Sequence, residues 1–149
     1  MGNFDGLRNA LSPCRISEVG KFNRLPIPKV VRKRWEVDGS QAELNISRFG
    51  RCIIINSVPE DALGIAYDEV YQATLRARGD LSLPTEVAEH LDLWLGARLR
   101  LVDLWRPVLF VPLAEQITGI TAVRDATSNN FMRQYLDLKL GEINEQPNR

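Results

Sequence analysis

An internal duplication constrains this chain more than any other feature. The segment RLPIPKVVRKRWEV (24–37) aligns with DLSLPTEVAEHLDL (80–93) at an offset of 56 residues, which sets Ile27-Pro28 on Leu83-Pro84, Val31 on Val87 and Trp35 on Leu91. Further on, AELNISRFGRCIII (42–55) aligns with ARLRLVDLWRPVLF (97–110) at an offset of 55, with Leu44 on Leu99, Ile46 on Leu101 and Arg51 on Arg106. Two blocks in the same order at nearly the same spacing mark a repeated supersecondary unit, and the residue gained or lost between them falls where loops tolerate it. A unit of roughly 45 residues cannot bury enough surface to stand alone without metal, disulfides or association. The chain has two cysteines, Cys14 and Cys52, and one histidine, His90, too few for a disulfide framework or a metal cluster. Each copy must therefore complete its core with another copy, in the same chain or in a partner chain.

Both copies read alike. A short strand (14–19, then 72–76) leads through a turn at Gly20 or Gly79 into a second short strand ending in Ile-Pro or Leu-Pro. Pro28 and Pro84 suit the first position of a helix, where the missing N–H costs nothing. The spacing predicts a helix over 28–36 with Val31 and Trp35 on one buried stripe, matched by Val87 and Leu91 in the second copy. Gly39 and Gly96 stand where the chain leaves each helix. A hairpin of alternating apolar and polar residues closes each copy: 42–47 with 51–56 around Arg48-Phe49-Gly50, and 97–103 with 107–112 around Leu104-Trp105-Arg106. The expected fold class is mainly β with short helices.

Composition enters through the placement of charge. The 19 Lys/Arg and 19 Asp/Glu cancel, and a zero sum alone argues against a nucleic-acid partner. The distribution argues the other way. Residues 1–57 hold ten basic and five acidic side chains, whereas 58–149 hold nine and fourteen. Between 15 and 34 lie Arg15, Lys21, Arg24, Lys29, Arg32, Lys33 and Arg34, opposed only by Glu18. Such a cluster on a turn and a short helix is the footprint expected for an anionic partner, with Lys and Arg neutralising phosphates and Arg reading base edges. In the second copy Asp80, Ala88, Glu89 and His90 take the places of Arg24, Arg32, Lys33 and Arg34. That copy is expected to be structural or to meet another protein, with Arg76, Arg78, Arg98 and Arg100 leaving a secondary DNA role open.

NRLPIPKVVRKRWEV (23–37) resembles the G-R-[VIL]-x-[IL]-P-x-x-[LV]-R-x-x-[LW]-x-[IV] core of the AbrB/SpoVT/MazE looped-hinge, or swapped-hairpin, family, with Asn23 standing where the pattern has Gly. RGDLSLPTEVAEHLDL (78–93) keeps the frame and has Asp80 at the Arg position. The tandem arrangement is similar to that of the MraZ family, whose D-x-x-x-R signature is absent from both copies. The resemblance implies a β-barrel made by two interlocked copies, binding DNA through the strand–turn region and the helix start. Residue by residue, Arg24 falls on the family's Arg before the Ile-Pro. Arg32 and Lys33 fall on its basic pair in the helix, and Lys21 lies in the turn presented to DNA. Arg15 and Arg34 match no family position and extend the same cluster.

Four segments are expected: an AbrB-like DNA-binding module (14–57), an acidic linker (58–71) with one helical turn near 60–64, a second, degenerate module (72–113) that is structural or serves oligomerisation, and a C-terminal helical segment (114–149). NNFMRQYLDLKLGE (129–142) reads as a helix capped by Asn130 and ended by Gly141. Phe131, Tyr135 and Leu138 form one stripe, with Met132, Leu136 and Leu140 beside it, and 143–149 are expected to be disordered. The function expected is a DNA-binding transcriptional repressor in the cytoplasm, associated with the nucleoid, working as a homodimer or higher oligomer on operator DNA. The alternatives are a MazE-type antitoxin that masks a toxin with 114–149, and an assembly scaffold that binds no DNA. No Ser/His/Asp set, Gly-rich phosphate loop or metal-ligand spacing is present, so no enzymatic activity, cofactor or metal is expected. Apolar runs of about five residues fall far short of the roughly 18 that suggest a membrane span.

Overall fold

The computed structural model describes residues 15–59 and 61–145; Cys14, at the expected start of the first module, lies outside them. The first copy comprises β1 (Arg15–Glu18), a 3-10 turn (Lys21–Asn23), β2 (Arg24–Pro26), α1 (Lys29–Arg34), β3 (Ala42–Phe49) and β4 (Cys52–Asn56). The second comprises β5 (Glu69–Leu75), β6 (Asp80–Ser82), α2 (Thr85–His90), β7 (Arg98–Asp103) and β8 (Val108–Pro112). A 3-10 turn (Leu113–Glu115) then leads into α3 (Gln116–Ala126) and α4 (Asn130–Glu145). Pro28 and Pro84 occupy the cap positions just before α1 and α2, one residue earlier than the sequence suggested.

The eight strands form one antiparallel sheet in the order β1-β7-β8-β4-β3-β5-β6-β2. Its pairing follows the duplication. The first strand of each copy pairs with the third strand of the other, β1 with β7 and β5 with β3. The second strands pair with each other, β2 with β6, as do the fourth strands, β4 with β8. The register keeps a pseudo-twofold relation: Leu25 lies opposite Leu81, Ile54 opposite Leu109, and the pair Arg15–Leu101 is repeated as Tyr71–Ile46. At the open edge β1 and β2 touch, and the Gly20 N–H donates to the Arg24 carbonyl at 2.8 Å, so the sheet is a nearly closed barrel. The partner copy that the size argument demands is thus found within the chain.

The barrel interior is filled by alternate residues from both copies, among them Leu25, Ile46, Ile53, Leu81, Leu101 and Phe110, joined by Val31 and Trp35 of the first helix region and Val87 and Leu91 of the second. The hairpins depart from simple alternation. Cys52–Ile55 and Val108–Val111 are continuous apolar runs, because β4 and β8 are buried on both faces. Ile53, Ile55, Val108 and Phe110 point into the barrel, while Cys52, Ile54, Leu109 and Val111 point outward into a second core with Ile120, Val123, Met132 and Leu136 of α3 and α4. Helix α3 comes close to the sheet at Gly119, where an added Cβ would stand 2.6 Å from Val111 Cγ2. Burial of Cys52 in this layer pushes its thiol up to about 12.

Several expectations for the termini and linker are corrected. Residues 61–68 contain no helix; the Asp61 carboxylate instead accepts from the Leu63 and Ile65 amides, both at 3.0 Å. Within the C-terminal segment expected to be helical, α3 precedes the one helix placed from the sequence. Helix α4 is capped by the Asn129 side chain, which accepts from the Met132 N–H at 3.2 Å, and it runs through Gly141 to Glu145. Ile143 is buried in that helix, so the disorder expected of 143–149 fails at its start, and 146–149 lie outside the described residues. The apolar stripe is split: Tyr135 packs inward with Met132, Leu136 and Leu140, whereas Phe131 and Leu138 are exposed. The loop between α3 and α4 is tied to the linker, with the Thr127 hydroxyl donating to the Leu63 carbonyl and the Asn129 amide to that of Ala62.

Candidate nucleic-acid interface

The short β2·β6 ladder lies on the pseudo-twofold axis. Leu25 and Leu81 face each other across it and are fully buried, which leaves Arg24, Pro26, Asp80 and Ser82 toward the outside. Two reciprocal hydrogen bonds extend the ladder into the flanking turns. The Ile27 N–H donates to the Gly79 carbonyl and the Leu83 N–H to the Asn23 carbonyl, each at 2.9 Å. Asn23 and Gly79 are equivalent positions and both have positive φ, +56° and +101°. Asn tolerates that region far better than a branched or bulky residue, so it can stand where the second copy has glycine. The turns Gly20–Asn23 and Arg76–Gly79 therefore flank one common ladder.

This geometry sorts the basic residues singled out by sequence. Lys21 is exposed on the first turn. Phe22 beside it is also exposed, 75% of its surface being accessible. The Arg24 guanidinium lies over the Phe22 ring, 5.2 Å from its centroid, a cation–π contact that holds the arginine along the turn. Lys33 is exposed on α1, and so is Lys29 four residues earlier on the same helix face. Arg15 stands at the opposite end of β1 from the turn, roughly 13 Å away along an extended strand.

Arg32 and Arg34 have internal work. Arg32 Nε donates to the Ile27 carbonyl at 2.9 Å and its Nη1 to Asp38 at 2.7 Å. Its guanidinium also lies beneath the second turn, where a Cβ on Gly79 would stand 2.6 Å from Arg32 Cζ. Arg32 thus props the turn of the other copy. Arg34 forms a two-pronged ion pair with Asp103, both distances 2.7 Å, donates to the Trp105 carbonyl and stacks over the Trp105 ring. A fork-to-fork pair against a buried carboxylate fixes α1 to the β7–β8 hairpin.

The second copy brings its own cations to the same ladder. Arg78 is exposed at the turn tip. Arg76 pairs with Asp80 at 2.7 Å. That hydrogen bond, with the charges of Arg76, Arg78 and Arg24, holds the Asp80 carboxyl below its ordinary range. Asp80, which by sequence alone would repel phosphate, is here neutralised and orients Arg76. One Arg24 donor, Nε, and one Arg76 donor, Nη2, are screened from solvent with no hydrogen-bond acceptor among the described residues. Arg98 sits opposite Glu18 on the β1·β7 ladder, and Arg100 is buried with its Nε donating to Gln116, so neither belongs to this face. The face therefore gathers Lys21, Arg24, Arg76 and Arg78. The charge of Arg76 and Arg78 was visible in the sequence; their place beside Arg24 was not.

Among the described residues no group of three His, Cys, Asp or Glu side chains is arranged to hold a metal ion, and no helix is long and apolar enough to cross a membrane. No family model matches the chain, and no curated protein matches it. Among solved structures it is similar to the solution structure of PHS018 from Pyrococcus horikoshii, at 14% identity and a TM-score of 0.36, over 65% of this chain and 85% of that one.

Proposed function

We propose that this protein binds double-stranded DNA through the β2·β6 face and acts as a transcriptional regulator, a repressor that occupies operator DNA. In this reading the barrel is two interlocked AbrB-like swapped-hairpin modules, and the protein works in the cytoplasm on the nucleoid. The observation that carries it is the placement of Arg24 on the β2·β6 ladder and of Lys21, Arg76 and Arg78 on the two turns that flank it, with Lys29 and Lys33 exposed on the helix that follows β2. Cations held on turns and a short helix neutralise phosphates, and arginines among them have the geometry for bidentate contact with guanine. The strand exchange between copies supports the resemblance seen in their sequence motifs.

The antitoxin reading gains no comparable support. The apolar face of α4 packs on the protein's own barrel, leaving only Phe131 and Leu138 outside as large apolar side chains on that helix. The test is fluorescence anisotropy with duplex DNA from upstream of the gene over a series of salt concentrations. Binding whose affinity falls linearly with log salt, with a slope reduced by about two when Lys21 and Arg24 become Ala, supports the proposal. Absence of binding at 50 mM salt sinks it and favours the assembly-scaffold alternative.

A further inference from the structure

Resting on this DNA-binding reading, we infer that a single chain is the complete recognition unit and that its DNA site is asymmetric: one half is held by a turn and a helix, the other by a turn alone. The first observation is that the pseudo-twofold is used up inside the chain. Every strand pairing that two identical modules would make across a dimer axis, including the like-with-like ladders β2·β6 and β4·β8, is made between the two copies of one chain. Both turns that flank the recognition ladder therefore come from the same molecule.

The second observation is that charge breaks the symmetry the backbone keeps. Across the axis Lys21 corresponds to Ala77, Arg24 to Asp80, Lys29 to Thr85 and Lys33 to Glu89, while Gly20 and Phe22 correspond to Arg76 and Arg78. Residues 20–36 contain six basic side chains and one acidic, whereas 76–92 contain two basic and four acidic. The helix of the first half exposes Lys29 and Lys33; that of the second exposes Glu86 and Glu89. Carboxylates turned toward a phosphate backbone repel it, so on the second half only the turn arginines can approach. A protein with a true twofold reads an inverted repeat. One whose two helices carry opposite charge has no reason to, and its preferred duplex lacks inverted symmetry.

The test is selection of duplexes by the full-length protein from a random 24-base-pair pool, followed by native mass measurement on the enriched duplex. The expected result is one non-palindromic motif and one chain per duplex. An inverted repeat, two chains per duplex, or retained DNA with no enriched motif overturns the inference while leaving DNA binding intact. Failure to retain any duplex at low salt overturns both, which keeps the two failures apart. The double variant Thr85→Lys/Glu89→Lys, which sets lysines at the two exposed positions equivalent to Lys29 and Lys33, gives a second readout. It is expected to bind at least about tenfold more tightly and to enrich a motif with a mirrored second half. An unchanged motif and affinity would also overturn the inference.

Discussion

The two junctions between helix and hairpin do the same mechanical job with opposite chemistry. At the first, the helix carries the cation: Arg34 reaches Asp103 on the β7–β8 hairpin, and the Trp35 indole N–H donates to the Arg106 carbonyl at 2.6 Å. At the second, the hairpin carries it. Arg51 donates to the carbonyls of His90 and Leu91 at the end of α2 and pairs with Glu115. The equivalent of Asp103 in the first copy is Arg48, which pairs with Glu69 and Asp68. The two copies share an apolar frame but differ in the polar groups that close each junction. A basic residue in a cluster can therefore belong to a junction rather than to a binding face, as Arg32 and Arg34 do.

The largest expected effects test the symmetric part of that comparison. Leu25→Ala and Leu81→Ala remove equivalent, fully buried side chains on the axis, and each should cost about 3–4 kcal/mol in chemical denaturation. A cost above 2 kcal/mol for one and near zero for the other would show that the copies do not share one core. Next, Asp103→Ala leaves Arg34 half-buried without its carboxylate and should cost about 3 kcal/mol, whereas His90→Ala at the position equivalent to Arg34 should stay within about 0.5 kcal/mol. Equal losses from both would dissolve the distinction between the junctions.

Smaller effects sharpen the division between structural cations and those proposed to meet DNA. Arg34→Ala should lower the melting temperature, while Lys33→Ala should leave it unchanged and weaken DNA binding, about threefold to tenfold at low salt. If Lys33→Ala has no effect on binding, the α1 face lies off the DNA. Trp35→Phe removes one indole N–H bond to Arg106 and should cost about 1 kcal/mol.

The smallest effect concerns the layer outside the barrel. The folded state holds the Cys52 thiol protonated up to about 12, against an ordinary value of 9.0. Unfolded chains therefore lose this proton first. The stabilisation is full below pH 9 and is lost as pH rises from there toward 12. Alkylation of Cys52 in a Cys14→Ser background should accordingly be slow at pH 8 in native protein and fast in denaturant. Rapid native reaction would mean that α3 and α4 open readily from the sheet.

Much of the fold was legible because apolar spacing repeats. Ile27 against Leu83, Val31 against Val87 and Trp35 against Leu91 all sit at equivalent places in one core. The continuous runs Cys52–Ile55 and Val108–Val111 also carry a signal: strands apolar on both faces require a second layer, which is where α3 and α4 pack. Helix α3 was harder to see because Gly119, Thr118 and Thr121 weaken its local propensity, and contact with Val111 and Cys52 supplies what propensity lacks.

The sequence by itself determined the repeat, the need of each copy for another, and the basic excess of the first half, since these follow from residue spacing and charge count. Only the tertiary structure decided which copy completes which and where each charge points. Strand pairing joins β2 to β6, with Leu25 opposite Leu81, so it sets the turn that carries Arg76 and Arg78 against the strand that carries Arg24. It also sets Asp103 within reach of Arg34, and the second turn over Arg32. Local sequence fixes a side chain's charge, whereas its availability depends on partners that only the folded chain brings near.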